Sequence, residues 1–369
     1  MQFEELLLKY SLKDEFVEPF KMQMDKIFEF MNQEGFAELK TLNEKQNSLN
    51  ATLQRLEKKY IENPSFGDET YNRMKKEYVT EIEEIKIMIE KTALRESLFR
   101  HLDGLVVAPI AVALQNSGIL KTILDKKSAT VSHLAQEFQA NQGYLNIALR
   151  ALASQGFLNY EVDNATTEIS ITTNENSQIA FSLFNKYEDI VKVLEDCDIF
   201  TEIEINSNNF HHLEDLFEQF KNQNAANLPL NALEYQINKH LEGFLVGPLV
   251  VSLGMTGMFH KYFMETSFRP EEFHKEPEIF KKILDFFVFL DWFTENKGNY
   301  QFTDTGLFFA KRASAYGVTV SYLPMLKRTK ELLFGNPNSI RTTSALEEEI
   351  HVNREMNVWG SGGAHATYF

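Results

Sequence analysis

At 369 residues, 43% of them hydrophobic, the chain has material for two or three compact units and a sizeable core. Its formal net charge of −16 argues against a polyanionic partner, because nucleic-acid binding is driven by cationic residues that displace counterions. The single cysteine, Cys197, excludes a disulfide framework and a cysteine-based zinc site.

The opening stretch MQFEELLLKYSLKDEF carries Glu4, Glu5 and Asp14 within an apolar pattern. It lacks the basic start and continuous apolar core of a signal peptide. No run reaches about 18 apolar residues, so no membrane span is expected, and a soluble cytoplasmic protein is. Residues 1–93 read as a helical arm. Leu42, Leu49, Leu53, Leu56 and Tyr60 recur at helical spacing, and Tyr71, Met74, Tyr78, Ile82, Ile85 and Ile89 do so after a break. The break, ENPSFGDET, holds the stop signals Pro64 and Gly67 and a cap at Asp68 or Thr70. Two stripes joined by a short loop predict an antiparallel helical hairpin with charged outer faces. Such an arm is either simply solvated or a contact surface for a second chain.

Residues 94–200 read as a winged-helix domain. RHLDGLVVAPIAVALQNSGIL is a helix apolar on most faces, ending near Ser117-Gly118. Two short helices follow with a turn at Asn141 to Gly143, and then two β-prone runs around Asp163-Asn164. Helix, helix–turn–helix, hairpin is the winged-helix order.

Residues 201–337 repeat that unit. KHLEGFLVGPLVVSLGMTGMF aligns without a gap on RHLDGLVVAPIAVALQNSGIL, placing His101 on His240, Gly104 on Gly243, Pro109 on Pro248 and Gly118 on Gly257. ALRALASQGFLNYE falls on ILDFFVFLDWFTEN, and ISITT on YQFTD. A duplicated unit is expected, each first helix burying itself against the other unit or a second chain. From Asp304 the chain continues in helix, with interruptions near Gly317 and Pro324 and a stop at Gly335-Asn336-Pro337. Residues 338–369 read as a polar stretch, a linker helix from Ala345 to Val358, and a glycine-rich junction, Trp359, Gly360, Ser361, Gly362 and Gly363. The fold class expected is mainly α with small β-hairpin wings: an arm, two winged-helix domains, and no Rossmann-like catalytic domain.

The would-be recognition helices do not read as DNA readers. The first offers Arg150 as its only cation. The second has Lys281 and Lys282 beside Glu276, Glu278, Asp285 and Asp291 on a Phe-rich helix. No metal site is expected: His211 and His212 are adjacent and point about 100° apart on a helix. His101 and His240, each near an acid (Asp103, Glu242), read as a duplicated structural histidine bonded near its helix start. His365 is the weak candidate for a general base. Phe280, Phe286, Phe287, Phe289, Trp292 and Phe293 read mostly as core.

The apolar first helix with SGIL at its end, TVSHLAQEFQANQGYLNIALRALASQGFL, YQFTDTGLFFAKR and the stretches YGVTVSYLPMLKRTKELLFGNP and HVNREMNVWGSGGAHATYF resemble a known arrangement. It is the N-terminal tandem winged-helix region of bacterial class I S-adenosylmethionine-dependent small-molecule methyltransferases. The resemblance implies a non-catalytic, homodimerising portion that helps shape a substrate pocket, with Tyr322, Met325, Phe334 and Tyr368 on its wall. It implies S-adenosylmethionine in the complete enzyme and a catalytic domain supplied in cis or in trans. This chain carries no glycine-rich turn between a strand and a helix, so Trp359 to Gly363 form no complete cofactor site and the chain alone is expected to bind none. Two other readings stand beside it: a stand-alone protein-interaction module and a winged-helix regulator.

Overall fold

The computed structural model describes residues 14–63, 66–198, 200–201, 210–223, 232–341 and 349–365. The chain divides into two compact units, Met1–Glu96 and Ser97–Phe369. Apart from residues 94–96, both expected repeats lie in the second unit.

The first unit is built on α1 (Asp14–Glu62) and the N-terminal part of α2 (Asp68–Asn116). Arg95 pairs with Glu38, Lys45 with Glu81 and Lys75 with Glu57, each at 2.9 Å, and Tyr60 stacks on Tyr71 with ring centroids 3.9 Å apart. Numbers rising on one helix and falling on the other define the expected antiparallel hairpin. Leu39, Leu42, Leu56 and Ile85 are buried in it. The first-repeat helix, expected to begin separately near residue 94, instead continues the arm helix unbroken. ALRESLFR contains no glycine, proline or cap to stop it. One 18-residue window of α2 has mean hydropathy 1.5, so by length and composition this helix is apolar enough to cross a membrane; 72% of that window is buried inside the protein. Pro109 sits within it, as Pro248 sits within the matching helix of the second repeat.

The first repeat continues with α3 (Ile119–Lys126), β1 (Ser128–Thr130), α4 (Val131–Glu137), α5 (Gln142–Ser154), β2 (Asn159–Val162) and β3 (Ile169–Thr172). Asn141 caps α5, its side chain accepting from the Gly143 and Tyr144 amides. Asp163 Oδ1 accepts the Ala165 and Thr166 amides and closes the wing. The sheet is antiparallel, in the order β1-β3-β2, with Tyr160 opposite Ile171. Then come α6 (Ser177–Leu183), a 3-10 turn at Phe184–Tyr187, α7 (Glu188–Asp196) and α8 (Phe210–Gln223).

The second repeat has the same order: α9 (Leu233–Met255), α10 (Lys261–Glu265), α11 (Pro270–Phe273), α12 (Pro277–Phe289), β4 (Phe293–Asn296) and β5 (Asn299–Phe302). The counterpart of β1 is reduced to one antiparallel bridge, Phe268 to Tyr300. Gly118 and Gly257, matched in sequence, both take left-handed backbone, as do Gly156 and its counterpart Asp291. All of the expected Phe and Trp core is buried except Phe289, which stays partly exposed.

The chain closes with α13 (Asp304–Ala310), α14 (Ser314–Ser321), α15 (Leu323–Leu326), α16 (Thr329–Phe334), a 3-10 turn at Pro337–Ile340 and α17 (Arg354–His365). Two expectations are corrected. Gly317 lies inside α14 rather than interrupting a helix. The last helix begins at Arg354, not Ala345, and contains the glycines; residues 342–348 of the expected linker lie outside the described ones. Among the described residues the sheets are small and antiparallel, and none is Rossmann-like.

Candidate functional site

A buried polar cluster lies where α2 crosses α9. A Cβ added to Gly104 would lie 2.4 Å from His240 Cα, and one added to Gly243 would lie 2.2 Å from His101 Cα. Each repeat's His-x-x-Gly therefore seats its glycine on the other repeat's histidine backbone. No larger residue fits at either position without separating the helices.

The side chains repeat the exchange. His101 Nδ1 is 2.7 Å from the Tyr316 hydroxyl, and His240 Nδ1 is 2.6 Å from the Tyr187 hydroxyl. Tyr187 follows the first wing and Tyr316 the second, so each histidine is held by the tyrosine of the other repeat. Gly247 leaves the room this needs: a Cβ there would lie 3.3 Å from the Tyr316 ring. The two repeats thus form a pseudo-twofold pair inside one chain. The apolar first helices, on which a homodimer was expected, bury Leu105, Val107, Phe244, Val246 and Val250 within it.

The symmetry breaks at the acids. His101 Nε2 is 3.1 Å from Glu242 Oε1, and the other carboxylate oxygen takes Lys239 at 2.7 Å. Burial alone would raise the Glu242 pKa, but Lys239 and the His101 hydrogen bond outweigh it and hold the group at about 2. An ionised Glu242 only accepts, so His101 donates from Nε2 and its bare Nδ1 accepts from Tyr316. Burial lowers the His101 pKa despite the pull of Glu242. At the matching place Asp103 is one methylene shorter, and His240 Nε2 is buried with no hydrogen-bond partner. Burial, with Arg100 and His101 nearby, holds His240 at about 3. Burial pushes both tyrosines well above their ordinary range. Both histidines are wholly buried, so the cluster acts as a brace. The duplicated structural histidine was legible in sequence; its partner was not, being a tyrosine of the other repeat rather than a group near its own helix start.

The terminal glycines form a second close contact. Gly363 faces Ser314, Gly360 faces Gly317, and Asn357 donates to Ser321 Oγ at 3.0 Å. These positions fall as one number rises, so α17 lies antiparallel on α14. A Cβ on Gly360 would come within 2.7 Å of the Gly317 backbone, while the Trp359 ring covers Gly254 of α9. Ser361 returns its hydroxyl to the Asn357 carbonyl. Trp359, Gly360, Ser361, Gly362 and Gly363 are therefore helical; all but Gly362, which has open space around its Cβ position, are engaged in these contacts. No backbone cradle for a phosphate forms there.

The remaining candidates do not converge. Tyr322 is half-buried and lies near the His351 ring, with centroids 6.4 Å apart. Met325 is half-buried and Phe334 exposed. His365 is the last residue of α17; its side chain, Tyr368 and Phe369 lie outside the described residues. His211 and His212 do not diverge: their ring centroids are 3.8 Å apart. Among the described residues no group of three His, Cys, Asp or Glu side chains is placed to hold a metal.

The fold defines a mostly helical protein with winged-helix architecture, a duplicated pair that follows a helical hairpin in the chain. Residues 94–160 match the family model of the AprA N-terminal domain, and residues 242–336 match that of the AprA winged helix domain. No curated protein matches the chain. These matches overturn the resemblance to the N-terminal region of S-adenosylmethionine-dependent methyltransferases: the two domains define a distinct family that is not shown to be part of a methyltransferase. Winged-helix topology is shared by unrelated proteins, so the wing and turn residues could not separate one family from another. The methyl-transfer and cofactor expectations rested on that resemblance alone.

Proposed function

We propose that the chain is a non-catalytic protein-interaction module. The observation that carries this reading is the reciprocal brace. The buried residue types most suited to proton chemistry, His101, His240, Tyr187, Tyr316 and Glu242, are engaged in joining the repeats. A rigid paired platform with a long charged hairpin suits a scaffold, because preorganised surfaces lose little entropy on binding. The regulator reading has less support: Lys281 and Lys282 on α12 are paired with Asp285 and Glu214, leaving little free cationic surface on that helix.

The test is cross-linking of the full chain in extracts of its native cells, followed by reconstitution with each purified candidate. Saturable binding of a specific protein is expected. A chain that cross-links only to itself, and gains a measurable turnover on a small molecule lost in His101→Ala, would overturn the reading.

A further inference from the structure

The duplication allows the two would-be recognition helices to be compared position by position. In the second repeat, α8 packs on the outer face of α12, burying Phe286 and leaving Lys282 and Phe289 partly exposed. Phe217 stacks on Phe286 with centroids 4.0 Å apart, Phe220 meets Phe289 edge-on at 6.5 Å, and Lys282 bonds Glu214 at 2.8 Å. The positions of α12 so engaged are 282, 286 and 289. Their counterparts on α5 are Ile147, Ala151 and Ser154, in a register supported by the left-handed residues Gly156 and Asp291 just beyond.

In the first repeat α16 packs against α5 and Ala151 is half-buried, but Ile147 and Ser154 stay exposed. Ile147 is 61% exposed, although it is a large β-branched residue on the outside of a helix. Arg150, one turn further on, is exposed and has no hydrogen bond or ion pair among the described residues, whereas its counterpart Asp285 is bonded to Lys281 and Tyr300. The face runs into an open groove of about 510 Å³ between α5 and β2, lined by Arg150, Ser154, Leu158 and Tyr160 among others.

We propose that the outer face of α5 is the docking surface for an acidic amphipathic helix of a partner protein, lying as α8 lies on α12. The proposal rests on the interaction-module reading. The second repeat shows what this position of the fold accepts: a helix presenting apolar side chains and a carboxylate. Arg150 lies beside Ile147 rather than at the counterpart of Lys282, so the acidic partner helix would set its carboxylate one turn further along, next to a Leu or Phe on Ile147. The α8 of a second copy is not the occupant, because it has Phe210, Phe217 and Phe220 buried in its own chain. Nucleic acid is not the occupant either, since one cation beside Glu161 in a chain of net charge −16 supplies no electrostatic footprint.

The probe is a fluorescein-labelled peptide of residues 210–223, which is itself an acidic Phe- and Leu-bearing helix. It is titrated against the full chain by anisotropy. Saturable binding is expected, weakened by about tenfold in Ile147→Asp and in Arg150→Glu, and changed by less than about twofold in Lys282→Glu. A peptide with Glu214→Lys and Glu218→Lys should recover binding to Arg150→Glu. Both protein substitutions are at exposed positions, and an unchanged far-ultraviolet melt verifies folding.

Absent binding, binding insensitive to both substitutions, or an equal loss in Lys282→Glu, which would mean the peptide displaces α8, each overturns the proposal. So does a dimer abolished by Ile147→Asp, or a DNA duplex bound through Arg150. If a partner found by cross-linking still binds Ile147→Asp at full affinity, this surface is wrong while the interaction-module reading stands.

Discussion

His101 and Tyr316 are 215 residues apart in sequence and 2.7 Å apart in the fold, imidazole Nδ1 to phenol hydroxyl, both fully buried. Their counterparts His240 and Tyr187 make the same contact in the opposite direction at 2.6 Å. The pair joins the two repeats through groups that are costly to leave unpaired.

Removing one hydroxyl should therefore cost more than an average hydrogen bond. Tyr187→Phe leaves His240 with neither ring nitrogen bonded, and a loss of about 1–3 kcal/mol is expected from urea unfolding. Tyr316→Phe should cost less, because His101 keeps Glu242. The double variant Tyr187→Phe/His240→Leu should recover most of the loss, since an apolar pair leaves no orphaned group. A double variant less stable than either single one would contradict the account.

The crossing glycines divide sharply from the others. Gly243→Ala places a Cβ 2.2 Å from the His101 Cα and should cost about 3 kcal/mol or more, as should Gly104→Ala. At the C-terminal helix, Gly360→Ala should destabilise by pushing α17 off Gly317. Gly362→Ala meets nothing within 4 Å and should stabilise by about 0.5–1 kcal/mol. Thermal melts of the pair decide between helix packing and a loop, in which both substitutions would act alike.

Stability should fall as pH drops from 6.5. His240 has an ordinary pKa of 6.5 and a folded value of about 3, so between those values the unfolded state binds the extra proton. Folding stability then decreases with falling pH by up to about 1.4 kcal/mol per unit for this group. His101, also lowered, adds in the same direction. Glu242, ordinary at 4.5 and folded at about 2, adds a loss below pH 4.5. Urea midpoints from pH 7 to pH 4 should show the slope, and Tyr187→Phe/His240→Leu should reduce it. An unchanged slope in that variant would assign the effect elsewhere.

Within the arm, apolar contacts should outweigh ion pairs. Ile85→Ala and Leu56→Ala, both buried, should each cost about 2–5 kcal/mol. Lys75→Ala removes a half-exposed pair with Glu57 and should cost less than about 1 kcal/mol. Hydrogen exchange of residues 50–62 and 71–85 reads both effects directly.

Local and repeated features were legible in the chain itself. Helical periodicity and Pro64-Gly67 revealed the hairpin, Asn141 the helix–helix turn and Asp163 the wing turn of the first repeat, and His101 on His240 the duplication. These signals act over a few residues, or by direct self-comparison, so sequence alone carries them. Which surfaces meet was decided by the tertiary structure. The glycines of α17 carry the composition of a loop, and only Gly317 opposite them, more than forty residues away, makes them a helix contact. The exchange of tyrosines between repeats follows the same logic: a buried histidine needs a partner, but which group supplies it depends on how α2 and α9 cross, and chain order does not encode that crossing angle.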